Sequence, residues 1–220
     1  MVTWTFRVLG PLDVTGPRGA VRLNSSRERT ILAVLALNAN RLVAAQRLVD
    51  AIWAEAPPAM AREQIYICIS HLRRALARAG LPDRIATRHP GYLLRVLQDE
   101  LDLHAFEQRV DAATSAAKSG RPVGELATVL HSALEVFPGE PFADVDSQLV
   151  RSAAVHLLER RMSVVEERID AETRMNLHHE VLDELAALVA EYPLRERLRA
   201  LQMIALHRAG RRAEALAAYQ

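Results

Sequence analysis

The chain has 220 residues, half of them hydrophobic and a quarter charged, with a single cysteine, Cys68. This composition excludes a disordered or fibrous chain, an intramolecular disulfide framework and a CxxC metal site, and no window approaches the ~18 uninterrupted apolar residues of a membrane helix. The net charge of +1 conceals an asymmetry: residues 1–97 hold 14 Arg and 6 acids, a sum of +8, while residues 98–220 hold 14 basic residues and 21 acids, a sum of −7. A basic module for a polyanion joined to an acidic module for a different partner is the expected reading. The start, MVTWTFRVLG, has no basic run followed by a long apolar stretch, so a signal peptide is not expected and a soluble cytoplasmic protein is.

TFRVLGPLDV alternates like a strand, and GPRG at 16–19 is a turn before AVRL. Asn24, Ser25 and Ser26 offer N-cap side chains for a helix carrying Ile31, Leu32, Val34 and Leu35. A shorter helix over 44–53 sets Leu48, Val49, Ile52 and Trp53 on one side. Pro57-Pro58 separates it from a third helix over 59–79, which Gly80 and Pro82 stop. RIATRHPGYLLRV then reads as a hairpin, with Pro90 and Gly91 at the central positions of a type II turn and Tyr92 packed inward. A β-rich start, three helices and a terminal hairpin make a winged helix-turn-helix over 1–97.

On the third helix, Ile65, Ile69, Leu72 and Leu76 fall on one stripe at 100° per residue and must pack inward. Cys68 lies at its edge, where a small half-buried thiol is the plain alternative to a redox or metal role. The opposite arc collects Glu63, Ile67, Ser70, His71, Arg74 and Arg78, flanked by Tyr66 and Arg73. DNA reading needs base-reaching side chains in the N-terminal half of a helix that enters the major groove, with cations beside it for phosphates. Arg62, Gln64, Tyr66, Ile67, Ser70 and His71 meet the first requirement by position, and Arg73, Arg74 and Arg78 the second. Ile67 in a polar arc is odd only if that arc meets water; on a reading helix it is an apolar contact for a thymine methyl group. Arg88 and His89, beside the hairpin turn, are placed to enter a minor groove as a wing. A solvated basic surface helix and a hairpin that merely closes the domain are the competing readings.

After Leu97, LQDELDL reads as a short acidic linker, and from His104 the text is almost wholly helical. Val181, Leu182 and Leu185 match Ala215, Leu216 and Tyr219 at a separation of 34 residues, the period of tetratricopeptide repeats. Pro193 falls where a repeat would end and Gly210 where the turn inside the next helix pair would lie. AEALAAYQ stops inside an amphipathic pattern, so a continuation past Gln220 is expected. The fold class that results is mostly α: an N-terminal α+β winged helix-turn-helix followed by an all-α tetratricopeptide-like domain over 102–220.

RTILAVLALNANRLVAAQRLVDAIW, ISHLRRAL and RHPGYLL resemble the DNA-binding domain of the SARP family, the antibiotic regulatory proteins of actinomycetes, which is similar to the winged-helix output domain of OmpR-type response regulators. LDLHAFEQRV, FPGEPFADV and YPLRERLRALQMIALHRAGRRAEALAAY resemble that family's bacterial transcriptional activation domain. The resemblance covers nearly the whole chain. It implies a transcriptional activator of a secondary-metabolite gene cluster that binds double-stranded DNA at direct repeats near a promoter's −35 element, as a homodimer on the DNA, and contacts RNA polymerase holoenzyme. It places Gln64, Tyr66, Ile67, Ser70, His71 and Arg73 at the DNA, with Cys68 and His71 departing from the family's commoner residues. Response regulators carry a phosphoacceptor domain before the winged helix; this sequence starts at the winged helix, so aspartyl phosphorylation is not expected.

An enzyme is not expected. GxxxxGK[ST], GxGxxG after a strand, HExxH and GxSxG are all absent. His178-His179-Glu180 is the nearest thing to a metal cluster, but neighbours on a helix diverge by 100° and cannot converge on one ion, so neither a metal nor a cofactor is anticipated. The alternative of a different class is a helical-repeat adaptor or signalling regulator of another pathway whose winged helix serves only protein contact. Salt separates the two: a DNA binder loses affinity steeply as salt rises, because each neutralised phosphate releases counterions.

Overall fold

The computed structural model describes residues 5–218. The chain divides into two compact units, one of residues 1–106 with 136–159 and one of residues 107–135 with 160–220.

The first unit opens with strands β1 (Phe6–Arg7), β2 (Asp13–Gly16) and β3 (Gly19–Ala20), an antiparallel sheet in the order β1-β2-β3. Helix α1 (Ser26–Leu37) follows. Ser25 is its N-cap: the hydroxyl accepts from the Glu28 N–H at 3.1 Å, while the Glu28 carboxylate accepts from the Asn24 N–H at 3.0 Å. This reciprocal arrangement satisfies donors that the first turn leaves orphaned. Ile31, Leu32, Val34 and Leu35 are fully buried, as the apolar run requires of a central helix. Strand β4 (Val43–Ala44) leads into α2 (Ala45–Trp53) and then α3 (Ala61–Arg78). Leu48 and Val49 on α2, and Ile65, Ile69, Leu72 and Leu76 on α3, are at most 2% exposed, so the α3 stripe forms the core, whereas Ile52 and Trp53 of the expected α2 stripe are only partly buried.

Strands β5 (Ile85–Arg88) and β6 (Gly91–Leu94) make the expected hairpin, and β4 adds to it in the order β4-β6-β5. The turn differs from expectation. Arg88 pairs with Gly91, which leaves His89 and Pro90 as the central residues, joined by a cis peptide bond. Gly91 is not at a turn position but the first residue of β6. A Cβ there would lie 1.9 Å from the Val43 carbonyl oxygen, so glycine is required by the approach of β4.

The acidic stretch expected to be a linker is packed. The Phe6 N–H donates to the Glu100 carbonyl at 2.8 Å, Leu101 is fully buried, and Arg84 holds the Glu100 carboxylate through two bonds of 2.5 and 2.6 Å. Helix α4 (Asp102–Lys118) begins at Asp102, whose buried carboxylate accepts the N–H groups of Val8 at 2.9 Å, Leu9 at 3.0 Å and Leu103 at 2.8 Å. Phe106 meets Phe137 edge-on with ring centroids 5.1 Å apart. Asp144 accepts the Leu12 N–H at 2.6 Å and pairs with Arg29, and the Ser147 hydroxyl donates to the Ala51 carbonyl at 2.7 Å. The first unit therefore runs past residue 97. Residues 100–106 and 136–159 join the first unit through buried contacts, which a pattern-based reading along the chain does not bring together.

The second unit is helical. It contains the later part of α4, α5 (Val123–Glu135), the later part of α6 (Gln148–Arg174), α7 (His178–Glu191), α8 (Glu196–Arg208) and α9 (Arg212–Ala217). Ile169, Val181, Leu185, Leu198, Ala205 and Ala215 share one core. Glu166, almost fully buried, accepts from Arg195 at 2.8 Å, and Arg168 bridges Glu172 and Glu184 at 2.7 and 2.5 Å. The 34-residue period is realised as α7 and α9 flanking α8. Val181, Leu182, Leu185 and Ala215 are buried; Leu216 is 72% exposed, and Tyr219 lies outside the described residues. Pro193 sits in the turn between α7 and α8, and Gly210 in the turn inside the following α8–α9 pair, the expected places.

Candidate nucleic-acid interface

The α3 face away from the core is built by its apolar stripe: with Ile65, Ile69, Leu72 and Leu76 fixed inward, residues about 180° round the helix have no core to enter. Ile67 is 52% and Tyr66 66% exposed, large apolar surfaces left in water among Glu63, Ser70, Arg74 and Arg78. Arg74 lies along its own helix, Nη2 donating to the Ser70 hydroxyl at 3.3 Å and Nε to the Ser70 carbonyl at 3.4 Å. Arg78, Arg88 and His89 are exposed, the last two at the tip of the hairpin.

The flanks of α3 are tied to their neighbours. On one side Arg73 donates through Nε to the Ile85 carbonyl at 2.9 Å and through Nη2 to the Thr87 hydroxyl at 2.7 Å, so its guanidinium fastens β5 to α3. Tyr92 packs inward as expected, and burial, the largest influence, pushes its hydroxyl above the ordinary tyrosine range against the charge of Arg73, with Tyr66 a smaller raising influence. On the other side the Gln64 side-chain Oε1 accepts from Arg27 Nη1 at 2.9 Å, and Arg27 also stacks over Trp53 at 5.4 Å from the ring centre. His71 Nδ1 stands 3.2 Å from the Glu28 carboxylate. Arg62 reaches the Gln46 side chain at 3.4 Å. The expected residues thus fall into an outward set, Tyr66, Ile67, Ser70, Arg74 and Arg78 with Arg88 and His89 on the hairpin, and a set whose polar groups engage residues of other elements, Arg62, Gln64, His71 and Arg73.

Cys68 is half-buried, and burial followed by the Glu28 charge raises its thiol above the usual cysteine range, which disfavours the thiolate. Among the described residues no group of three His, Cys, Asp or Glu side chains could hold a metal ion. Among the described residues no helix is long and apolar enough to cross a membrane. Reading the chain in order missed Arg27, and also Arg18 and Arg22 beside the C-terminal half of α3. Nothing in local spacing points to them, because they reach α3 from other elements.

Three helices with an exposed face on the third, followed by a hairpin fastened to it, define a winged helix-turn-helix, the class of DNA-binding transcriptional regulators. The family model "Transcriptional regulatory protein, C terminal" matches residues 20–94, and "Bacterial transcriptional activator domain" matches residues 101–220. The chain belongs to the SARP family of transcriptional regulators, with an OmpR-type DNA-binding domain and a bacterial transcriptional activator domain. It is 37% identical over 218 residues to the regulatory protein AfsR of Streptomyces coelicolor, covering 97% of this chain and 21% of that protein. It is 32% identical over 221 residues to the regulatory protein DnrI of Streptomyces peucetius, covering 96% and 80%. The solved structure of Mycobacterium tuberculosis EmbR in complex with a low-affinity phosphopeptide superposes with a TM-score of 0.91 at 34% identity, over 97% of this chain and 57% of that one. The chain therefore spans about a fifth of AfsR and just over half of EmbR.

Proposed function

We propose that this chain activates transcription of a secondary-metabolite gene cluster by binding direct repeats near a promoter's −35 element, two copies on the tandem sites, and recruiting RNA polymerase. The observation that carries the DNA reading is the outward face of α3, where Tyr66 and Ile67 stay exposed while the opposite stripe is sealed. In the major groove Ile67 meets a thymine methyl, Ser70 a base edge, and Arg74 and Arg78 the backbone phosphates. Arg62, Gln64, His71 and Arg73 lie at the margins of that contact, with Gln64 and Arg73 also holding α3 against its neighbours. Arg88 and His89 enter the adjacent minor groove. The acidic second part of the chain suits contact with a basic surface of the polymerase.

Footprinting on promoters adjacent to the protein's own gene tests this directly. Protection of two repeated elements a helical turn or a multiple of it apart, with affinity falling steeply as salt rises, is the expected result. Binding to these promoters no tighter than to random DNA overturns the DNA reading. Specific binding without stimulation of transcription by purified polymerase overturns the activator reading alone.

A further inference from the structure

The basic surface of the first unit does not end at α3. The β2–β3 hairpin is clamped to the C-terminal end of that helix: the Arg18 N–H donates to the Ala79 carbonyl at 3.0 Å, and a Cβ on Gly16 would lie 2.2 Å from the same oxygen. This backbone clamp brings Arg18 and Arg22 to a cavity of about 490 Å³ whose opposite wall is His71, Arg74 and Arg78. Its one acid, Glu28, is 4% exposed and occupied by the Asn24 N–H and by His71. Among the described residues no carboxylate pairs with Arg18, Arg22, Arg74 or Arg78, whereas Arg29, Arg84 and Arg151 of the same unit each hold one. Four guanidinium groups gathered round one concavity repel one another unless an anion joins them. The N-terminal end of α1 at Asn24, with the positive end of its dipole, adds to the same potential.

We propose that the cradle formed by Arg18, Arg22, Arg74 and Arg78 is a phosphate-binding site. A guanidinium binds phosphate through two parallel N–H donors and, being weakly hydrated, loses little in doing so. Arg74 and Arg78 are shared with the outward face of α3. The first source of the phosphate is therefore the DNA backbone on the side of α3 away from the wing, an assignment that rests on the DNA reading above. The second is a free phosphorylated small molecule, for which the cavity has room.

The test uses the full chain and the R18A/R22A variant, whose substitutions lie outside α3, with thermal melts to verify that both are folded. Binding is measured across a salt series to a duplex ending at the footprint and to one extended by several base pairs, and calorimetry measures inorganic tripolyphosphate binding to each protein without DNA. If the backbone is the source, R18A/R22A loses about tenfold on the extended duplex, its salt slope drops by about one to two, and the two proteins match on the short duplex. If a free phosphate is the source, tripolyphosphate binds the wild type and R18A/R22A loses that binding. Equal behaviour of the two folded proteins in both arms overturns the proposal. A wild type with no preference for promoter DNA sinks the proposed function instead, and the cradle is then judged by the tripolyphosphate arm alone.

Discussion

Ile67 shows how a single residue was legible. Four apolar residues at helical spacing fixed the inward direction of α3, so the outward arc followed by geometry, and the structure leaves Ile67 half exposed. The neighbours Gln64, His71 and Arg73 sit on the flanks, and helical spacing alone did not reveal that Arg27, Glu28 and β5 claim them. Side-chain partners contributed by other elements leave no periodic trace. Two substitutions separate the roles. Arg74→Ala is expected to weaken binding to specific and random DNA alike and to reduce the salt slope by about one, as for a phosphate contact; a loss confined to specific sites contradicts that role. Ile67→Ala should cost about 1 kcal/mol or less, concentrated at sites with thymine at one position, with thermal stability unchanged. An unaltered base preference in a binding-site selection removes Ile67 from the interface.

At the scale of elements, order and type were readable because capping, proline and glycine chemistry is local. Ser25 caps α1, and the three helices lie where the apolar patterns put them. The hairpin was readable as a hairpin but not in its turn, since Gly91 answers to β4, a strand of two residues with no pattern of its own. Gly91→Ala should separate β4 from β6 and destabilise the fold by about 1–3 kcal/mol, read as a lower denaturant midpoint; an unchanged midpoint shows that the strands part at no cost. Arg73 joins wing and helix through two hydrogen bonds to β5. If the wing acts through that link, Arg73→Ala and Arg88→Ala each weaken DNA binding, and the double variant loses less than the combined single losses, because both act on one element. Strict additivity in mobility-shift titrations means that the wing is held in place without Arg73.

Across the whole molecule, the charge change near residue 97 and the compact division of the fold do not coincide. Leu101, Asp102, Phe106, Phe137 and Phe142 are buried in the first unit, and Asp144 and Ser147 hydrogen-bond to its loops and helices. A fragment ending at Leu97 leaves the Val8 and Leu9 N–H groups without their acceptor, so it should melt well below the intact chain; circular dichroism on the two decides. Asp102 also gives the unit a pH dependence. Burial, the largest influence, pushes its carboxyl up to about 6 despite the opposing N–H bonds from Leu9, Val8 and Leu103 and the charge of Arg7. The unfolded chain releases the same proton near 4. Between about pH 4 and 6 the native state therefore binds a proton that the unfolded state has lost, and stability falls as pH rises through that window, by up to about 3 kcal/mol at the full shift. Asp102→Asn cannot titrate, so it should gain on the wild type in unfolding free energy as pH climbs from 4 to 7. If the gap between the two proteins stays constant across that range, Asp102 is not the group responsible.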